Sequence, residues 1–162
     1  MATQQGSLDL LADPVAQQLL TSTLPARLAY VWTDGTPRVV PIGFHWNGSE
    51  LVIGTFPDAP KMSALRNGDK VAISIDGATF PYKVLLVRGS IRTDIVDGIA
   101  PEYAAMCKRV FGEEQGEAWL DQVRPIAPQM ARVVVTPEWV GILDFETRFP
   151  SALERAMERA HA

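Results

Sequence analysis

The sequence predicts a mainly β domain, a six-stranded antiparallel barrel with flanking helices. Three observations carry this reading. Short apolar runs with strand periodicity recur from "ARLAYVWT" onward, and two of them close on Asp34-Gly35 and Asn47-Gly48, dipeptides that supply the positive φ of tight hairpin turns. Helical periodicity is confined to the two ends, to one short stretch after the third strand and to one excursion before the last strand. Strict alternation of strand with helix, which marks a doubly wound parallel sheet, is absent.

Each element follows from its residues. The segment 1–23 is a lead-in whose helix over 8–21 carries Leu8, Leu10, Leu11, Val15, Leu19 and Leu20. Residues 24–97 hold the barrel core. "ARLAYVWT", "RVVPIGFHW" and "ELVIGT" form a meander across the two hairpin turns, and a short helix over 59–67 stops at Asn67-Gly68. "KVAISID" sets Val71, Ile73 and Ile75 on one face, and the long strand "YKVLLVRGSIRT" contains Gly89, which marks a bulge or bend. The segment 98–126 is the helical excursion, divided at Gly112 and Gly116. Residues 127–162 supply a last strand, Gln129 to Leu143, and a closing helix opened by Pro150-Ser151. No internal repeat or linker splits residues 1–162, which read as a single domain.

Composition narrows the function. The chain is 162 residues long, 47% hydrophobic, 21% charged and carries a net charge of −4, so the basic stripe of a nucleic-acid binder is missing. Cys107 is the only cysteine and sits among Tyr103, Met106 and Val110, which predicts a buried, inert thiol and rules out a disulfide within the chain or a thiol cluster for zinc. His45 and His161 are the only histidines, so no metal is expected. The chain shows no apolar run of spanning length and no signal-peptide pattern at its start, which predicts a cytoplasmic protein without membrane partners. Neither a G-x-G-x-x-G after a strand nor a G-x-S-x-G occurs.

Two features remain unexplained by folding needs. In "PRVVPIGFHW", strand periodicity gives Val40, Ile42, Phe44 and Trp46 one face and Val39, Pro41, Gly43 and His45 the other. A proline and a glycine at the centre of a face suit either an edge strand or a flat surface against which a planar ring can lie. In "IGTFPDAPKMSALRNG", Lys61 stands at the start of a short helix that is already electropositive, so it is either a solvated lysine or one that awaits an anion. Pairing of the second and third strands across Asn47-Gly48 would bring the flat face near Thr55 and that cation, the layout of a mononucleotide.

The ordered set Asp34-Gly35, Pro37, Pro41, Phe44, Gly54-Thr55, Lys61, Leu65 and Arg66-Asn67 resembles the split-barrel flavin-binding family that includes pyridoxamine 5′-phosphate oxidase and the flavin/deazaflavin-dependent reductases. The match covers residues 24 to about 93, and "RVVVTPEWVGILDF" resembles the family's last strand. The resemblance implies a six-stranded Greek-key split barrel and a homodimer with cofactor sites at its interface. Arg38, Val39, Val40, Pro41 and Ile42 would carry the flavin ring, Gly54 and Thr55 the ribityl chain, and Lys61 with Pro60 and Ser63 the phosphate. His45, Tyr82, Lys83 and Trp139 would complete a partner-subunit or substrate pocket. The chain departs from the oxidases, which place an arginine beside the lysine where Pro60 stands here, and which end in a tryptophan-plus-two-arginine segment where "WVGILDFETRF" offers only Arg148.

The implied activity is an oxidoreductase dependent on FMN or coenzyme F-420, moving a hydride to or from a small molecule, with no catalytic side chain identifiable. For the long acidic tail of F-420 the basic candidates are Lys61, Arg66, Lys70, Lys83 and Arg88. The alternative is a non-enzymatic protein that stores flavin, F-420 or haem on the same barrel. A third reading is an apolar-ligand barrel without a nucleotide.

Overall fold

The structure, a computed structural model, describes residues 4–162. Its lead-in is broken where a single helix over 8–21 was expected. A 3-10 turn, Leu8–Ala12, gives way to α1, Pro14–Leu20. The cause is Pro14, which bars its predecessor from helical geometry. Asp13 is extended at φ −64° and ψ 140°, and its carboxylate accepts the Val15 N–H at 2.9 Å as an N-cap.

Seven strands form one antiparallel sheet, not six: β1 (Ala26–Val31), β2 (Pro37–Ile42), β3 (His45–Trp46), β4 (Leu51–Thr55), β5 (Lys70–Asp76), β6 (Val84–Asp97) and β7 (Gln129–Leu143). Their order is β2-β1-β5-β6-β7-β4-β3. The extra strand arises because the expected second strand breaks at Gly43-Phe44. Its first part pairs with β1, from Pro37 opposite Val31 to Ile42 opposite Ala26. Its last two residues cross to β4, His45 opposite Val52 and Trp46 opposite Leu51. β2 and β3 are therefore the two ends of the sheet, and the chain itself joins them through Gly43-Phe44.

The ribbon of β6 and β7 serves both halves of the barrel. Its Val84–Ser90 portion pairs with β5, while β7 pairs through Ala131–Val135 with β4. The change of partner falls beside a bulge at Arg88/Gly89. There a side chain on Gly89 would meet the Thr136 carbonyl oxygen at 2.1 Å, so the strands approach as only glycine permits. Leu28, Ile53, Ile73, Ile75, Leu85, Val87, Val133, Val135, Val140 and Ile142 fill the interior, and Leu10, Leu19 and Leu20 of the lead-in pack into it. Each of these side chains contributes about 1.5–3 kcal/mol when fully buried.

The helical excursion divides once, at Gly112 (φ 89°), into α2 (Pro101–Phe111) and α3 (Glu113–Val123). Gly116 has another role: its hypothetical Cβ would stand 2.7 Å from Lys108 Cα, so it lets α3 approach the α2 backbone. The expected helix over 59–67 is reduced to one 3-10 turn, Pro60–Ser63, with no side-chain cap. Burial of Met62, Ala64 and Leu65 against the core drives that segment. Gly68 does take positive φ, at 89°. The closing helix α4, Ser151–His161, buries none of its residues.

On the outer side of the β4–β7 half, Glu50 gathers several polar partners. Arg92 grips both oxygens of Glu50 at 2.6 and 2.9 Å, and Thr136 adds a third bond at 2.7 Å. These bonds, Arg92 first, hold the Glu50 carboxyl at about 2. The folded-state value lies below the ordinary 4.5, so this contribution to stability is present above pH 4.5 and is lost as pH falls through about 2. Glu50→Gln is therefore expected to lower the melting temperature modestly at pH 7 and not at pH 2, as read by thermal melts at both pH values.

Candidate functional site

The geometry of β2 decides between the two readings of its prolines. The Trp32 N–H donates to the Thr36 carbonyl at 2.8 Å, which sets the alternation of the hairpin. Arg38, Val40 and Ile42 consequently bond to β1, whereas Pro37, Val39 and Pro41 direct their backbone groups to the sheet's free edge. The prolines occupy positions where no ladder donor is required, so the edge-strand reading holds. It also has a chemical consequence. Along that edge Val39 is the one residue of the three with an N–H, and the register with β1 turns it away from the ladder.

The side chain of Val39 is 65% exposed and lies on the outer face of the sheet with Ala29, Ala72, Ser74, Leu86 and Arg88, which line an open cavity of about 320 Å³. A second cavity of about 440 Å³ continues from it past Val31, Pro37, Lys70 and Glu138. Together they form an apolar trough. Its floor is flat because β1 and β5 place Ala29 and Ala72 opposite one another. Those alanines were not singled out from the sequence, although each stands on the outward face of its strand, Ala29 between Arg27 and Val31 and Ala72 between Lys70 and Ser74.

Other expected residues are dispersed. Gly43 does not extend the flat face, because Met106 of α2 lies where its side chain would be, at 2.6 Å. Gly54 is covered in the same way by Tyr103, at 2.7 Å. The excursion between β6 and β7 folds back over these glycines, a return that periodicity does not show. His45 is half-buried in the same region, where burial first and then Arg109 lower its pKa, against Glu102. Thr55 ends β4 opposite Ala131 and is half-buried. Pro60 and Ser63 are exposed, while Lys61 between them is half-buried.

The Lys61 ammonium has no ion pair and no hydrogen-bond partner among the described residues, and burial depresses its pKa. A partly desolvated ammonium without an internal anion costs stability, so its position calls for an explanation that folding does not supply. The 3-10 turn carrying it is too short to act as an anion site through its own dipole.

The remaining cations do not converge into a groove. Lys70 donates to both oxygens of Glu138 at 2.8 Å, and Lys83 donates to Gln18 at 2.8 Å. Only Lys70 and Arg88 line a common cavity. Tyr82 meets Phe80 and Phe145 edge-on and is 42% exposed. Trp139 lies opposite Arg88, whose guanidinium covers its ring at 4.0 Å. Arg148 pairs with Asp13 at 3.1 Å and ties the tail to the lead-in. Cys107 is buried, as expected.

Solved structures share this arrangement. An F-420 reductase matches at 26% identity and a TM-score of 0.56 over 77% of this chain and 94% of its own. A conserved hypothetical protein of Mycobacterium tuberculosis matches at 18% identity and a TM-score of 0.65, over 89% and 91%. The chain has the split-barrel fold of pyridoxamine 5′-phosphate oxidase-like proteins. A split barrel described as an FAD- and haem-binding protein of Mycobacterium smegmatis also aligns, at 20% identity and a TM-score of 0.57 over 96% of this chain and 80% of its own. No family model and no curated protein matches the chain. Among the described residues of this split barrel no helix is long and apolar enough to cross a membrane, and no cluster of three metal-ligating side chains occurs.

Proposed function

We propose that this chain binds a flavin-type cofactor, FMN or coenzyme F-420, and uses it to move a hydride to or from a small molecule. The observation that carries the reading is Lys61, half-buried without an acid partner on the turn that follows Thr55. A phosphate would supply the missing charge. The Val39 N–H, free on the edge between two prolines, is the donor available to a polar ring edge, and Ala29, Ala72 and Leu86 provide an apolar floor that excludes water. A bound flavin supplies the hydride chemistry, so the chain's own residues bind, orient and desolvate. The neighbouring F-420 reductase and FAD- and haem-binding structures support a cofactor of this kind without naming FMN. In this reading two chains associate with the cofactor sites at their interface, each completing the other's site with Tyr82 and Trp139.

Titration of the apo protein with FMN and, separately, F-420, followed by fluorescence, tests the reading; saturable binding of neither rejects it. Mass in solution tests the pairing, and a monomer that binds at full affinity would contradict a shared site. Val39→Pro removes the free N–H without costing a ladder bond. It is expected to weaken flavin binding about two- to tenfold, the worth of one hydrogen bond, with the melting temperature unchanged.

A second reading has support from the trough itself. Its lining carries Arg27, Arg88 and Lys70, and Glu138 is held as a carboxylate by Lys70 first and then Ser90. With Arg27 and Lys70 already paired to Asp76 and Glu138, the trough suits storage of flavin, F-420 or haem as well as turnover. Reduced cofactor mixed with enones, quinones or dyes separates the two: bound colour that is never oxidised favours storage.

A further inference from the structure

The structure assigns to Arg88 a second recognition function, distinct from cofactor phosphate binding: on the Trp139 indole it forms a fixed platform for the oxyanion of a flat, apolar small molecule seated in the trough. Arg88 projects from the bulge of β6 with its guanidinium lying over the indole at 4.0 Å. Stacking fixes the plane of the cation and leaves its N–H edge available, the arrangement that recognises carboxylates and phosphates.

That edge is unspent. Its strand neighbours are engaged: Arg27 with Asp76, Arg92 with Glu50, Arg132 with Asp94 and Glu102, and Lys70 with Glu138. The Arg88 guanidinium has no acid and no hydrogen-bond partner among the described residues, although the Glu138 carboxylate lines the same cavity and is taken by Lys70 and Ser90.

The indole beneath is itself held in place. A side chain on Gly141 would stand 2.5 Å from the ring and one on Gly6 would stand 2.8 Å from Nε1, so both glycines make room for it. The lead-in is fastened there through Gly6 N–H to Val140 O at 2.8 Å and through Gln5, which bonds both backbone groups of Ile142 at 2.6 and 2.9 Å. In front of the platform lie the two cavities, which share Ala29, Ala72 and Arg88 and are otherwise mostly apolar. One fixed cation beside a flat apolar floor selects for an aromatic or conjugated acid over its neutral isostere.

Calorimetric titration of the full chain with 2-naphthoate, 2-naphthyl phosphate and 2-naphthamide tests this without any flavin, so its outcome is separate from that of the FMN titration. The better acid is expected to bind about tenfold or more tightly than the amide, and whichever acid wins identifies a planar or a tetrahedral oxyanion. Arg88→Ala should abolish the preference, and Arg88→Lys should restore part of it. Equal affinity for acid and amide, no binding of any probe, or a preference that survives Arg88→Ala overturns the proposal. In the last case, a simultaneous change in dimer dissociation by ultracentrifugation would assign Arg88 to the contact between two copies.

Discussion

Lys61→Ala is expected to weaken FMN binding about ten- to a hundredfold and to leave riboflavin binding within about twofold. A charge-assisted hydrogen bond is worth about 1.5–3 kcal/mol, and only FMN of this pair carries the phosphate that would receive it. The substitution should not destabilise the fold, because Lys61 has no ion pair among the described residues and its burial opposes its charge.

Burial places the folded-state pKa of Lys61 below the ordinary 10.5, so the unfolded chain holds the proton more strongly than the folded one. Wild-type stability therefore gains a component as pH rises from the depressed value toward 10.5, and FMN affinity falls over the same interval as the ammonium discharges. Both pH dependences should flatten in the alanine variant. Paired FMN and riboflavin titrations across that range give the measurement. Equal losses for the two ligands, or no loss for FMN, would remove Lys61 from the phosphate site.

Gly89→Ala is expected to cost about 3 kcal/mol or more and to lower the melting temperature by about 10 °C. The new methyl would fall 2.1 Å from the Thr136 carbonyl oxygen and 2.9 Å from its carbon, and Pro137 Cα lies at 3.3 Å. All three are backbone atoms of the central strand β7, so no side chain can swing aside and the two strands must part beside the bulge. Gly35→Ala is the control. It has a positive φ of 84° but nothing within 4 Å, and should cost only the left-handed penalty of about 1–2 kcal/mol. Denaturant melts of both variants make the comparison, and a Gly89→Ala protein as stable as Gly35→Ala would show that the ribbon is not locked there. Because Arg88 adjoins the bulge, the less stable variant should also lose its preference for acidic probes.

Features governed by local chemistry were legible from residues alone. The turns at Gly35 and Gly48 take positive φ as their dipeptides require, the last strand runs from Gln129 to Leu143, and the bulge falls at Gly89. Legibility failed where a distant segment intervened. The helix expected over 59–67 gave way to a 3-10 turn because Met62, Ala64 and Leu65 pack on the core. The flat face stops at Pro41 because Met106, sixty-odd residues later, occupies the space beside Gly43.

The candidate site divides along the same line. Periodicity separated Val39 and Pro41 from Val40 and Ile42, and it singled out Lys61 as a cation without a local purpose, since alternation and charge are written residue by residue. Which partner β2 takes, which N–H it leaves free, and the seat of Arg88 on Trp139 depend on strand order and on the bulge that shifts the β6–β7 register. The sequence by itself determined the strands, the turns and the chemistry each residue can offer. The tertiary structure alone decided which of those groups remain unspent, because a donor or a cation is free only when no residue brought in from elsewhere along the chain has taken it.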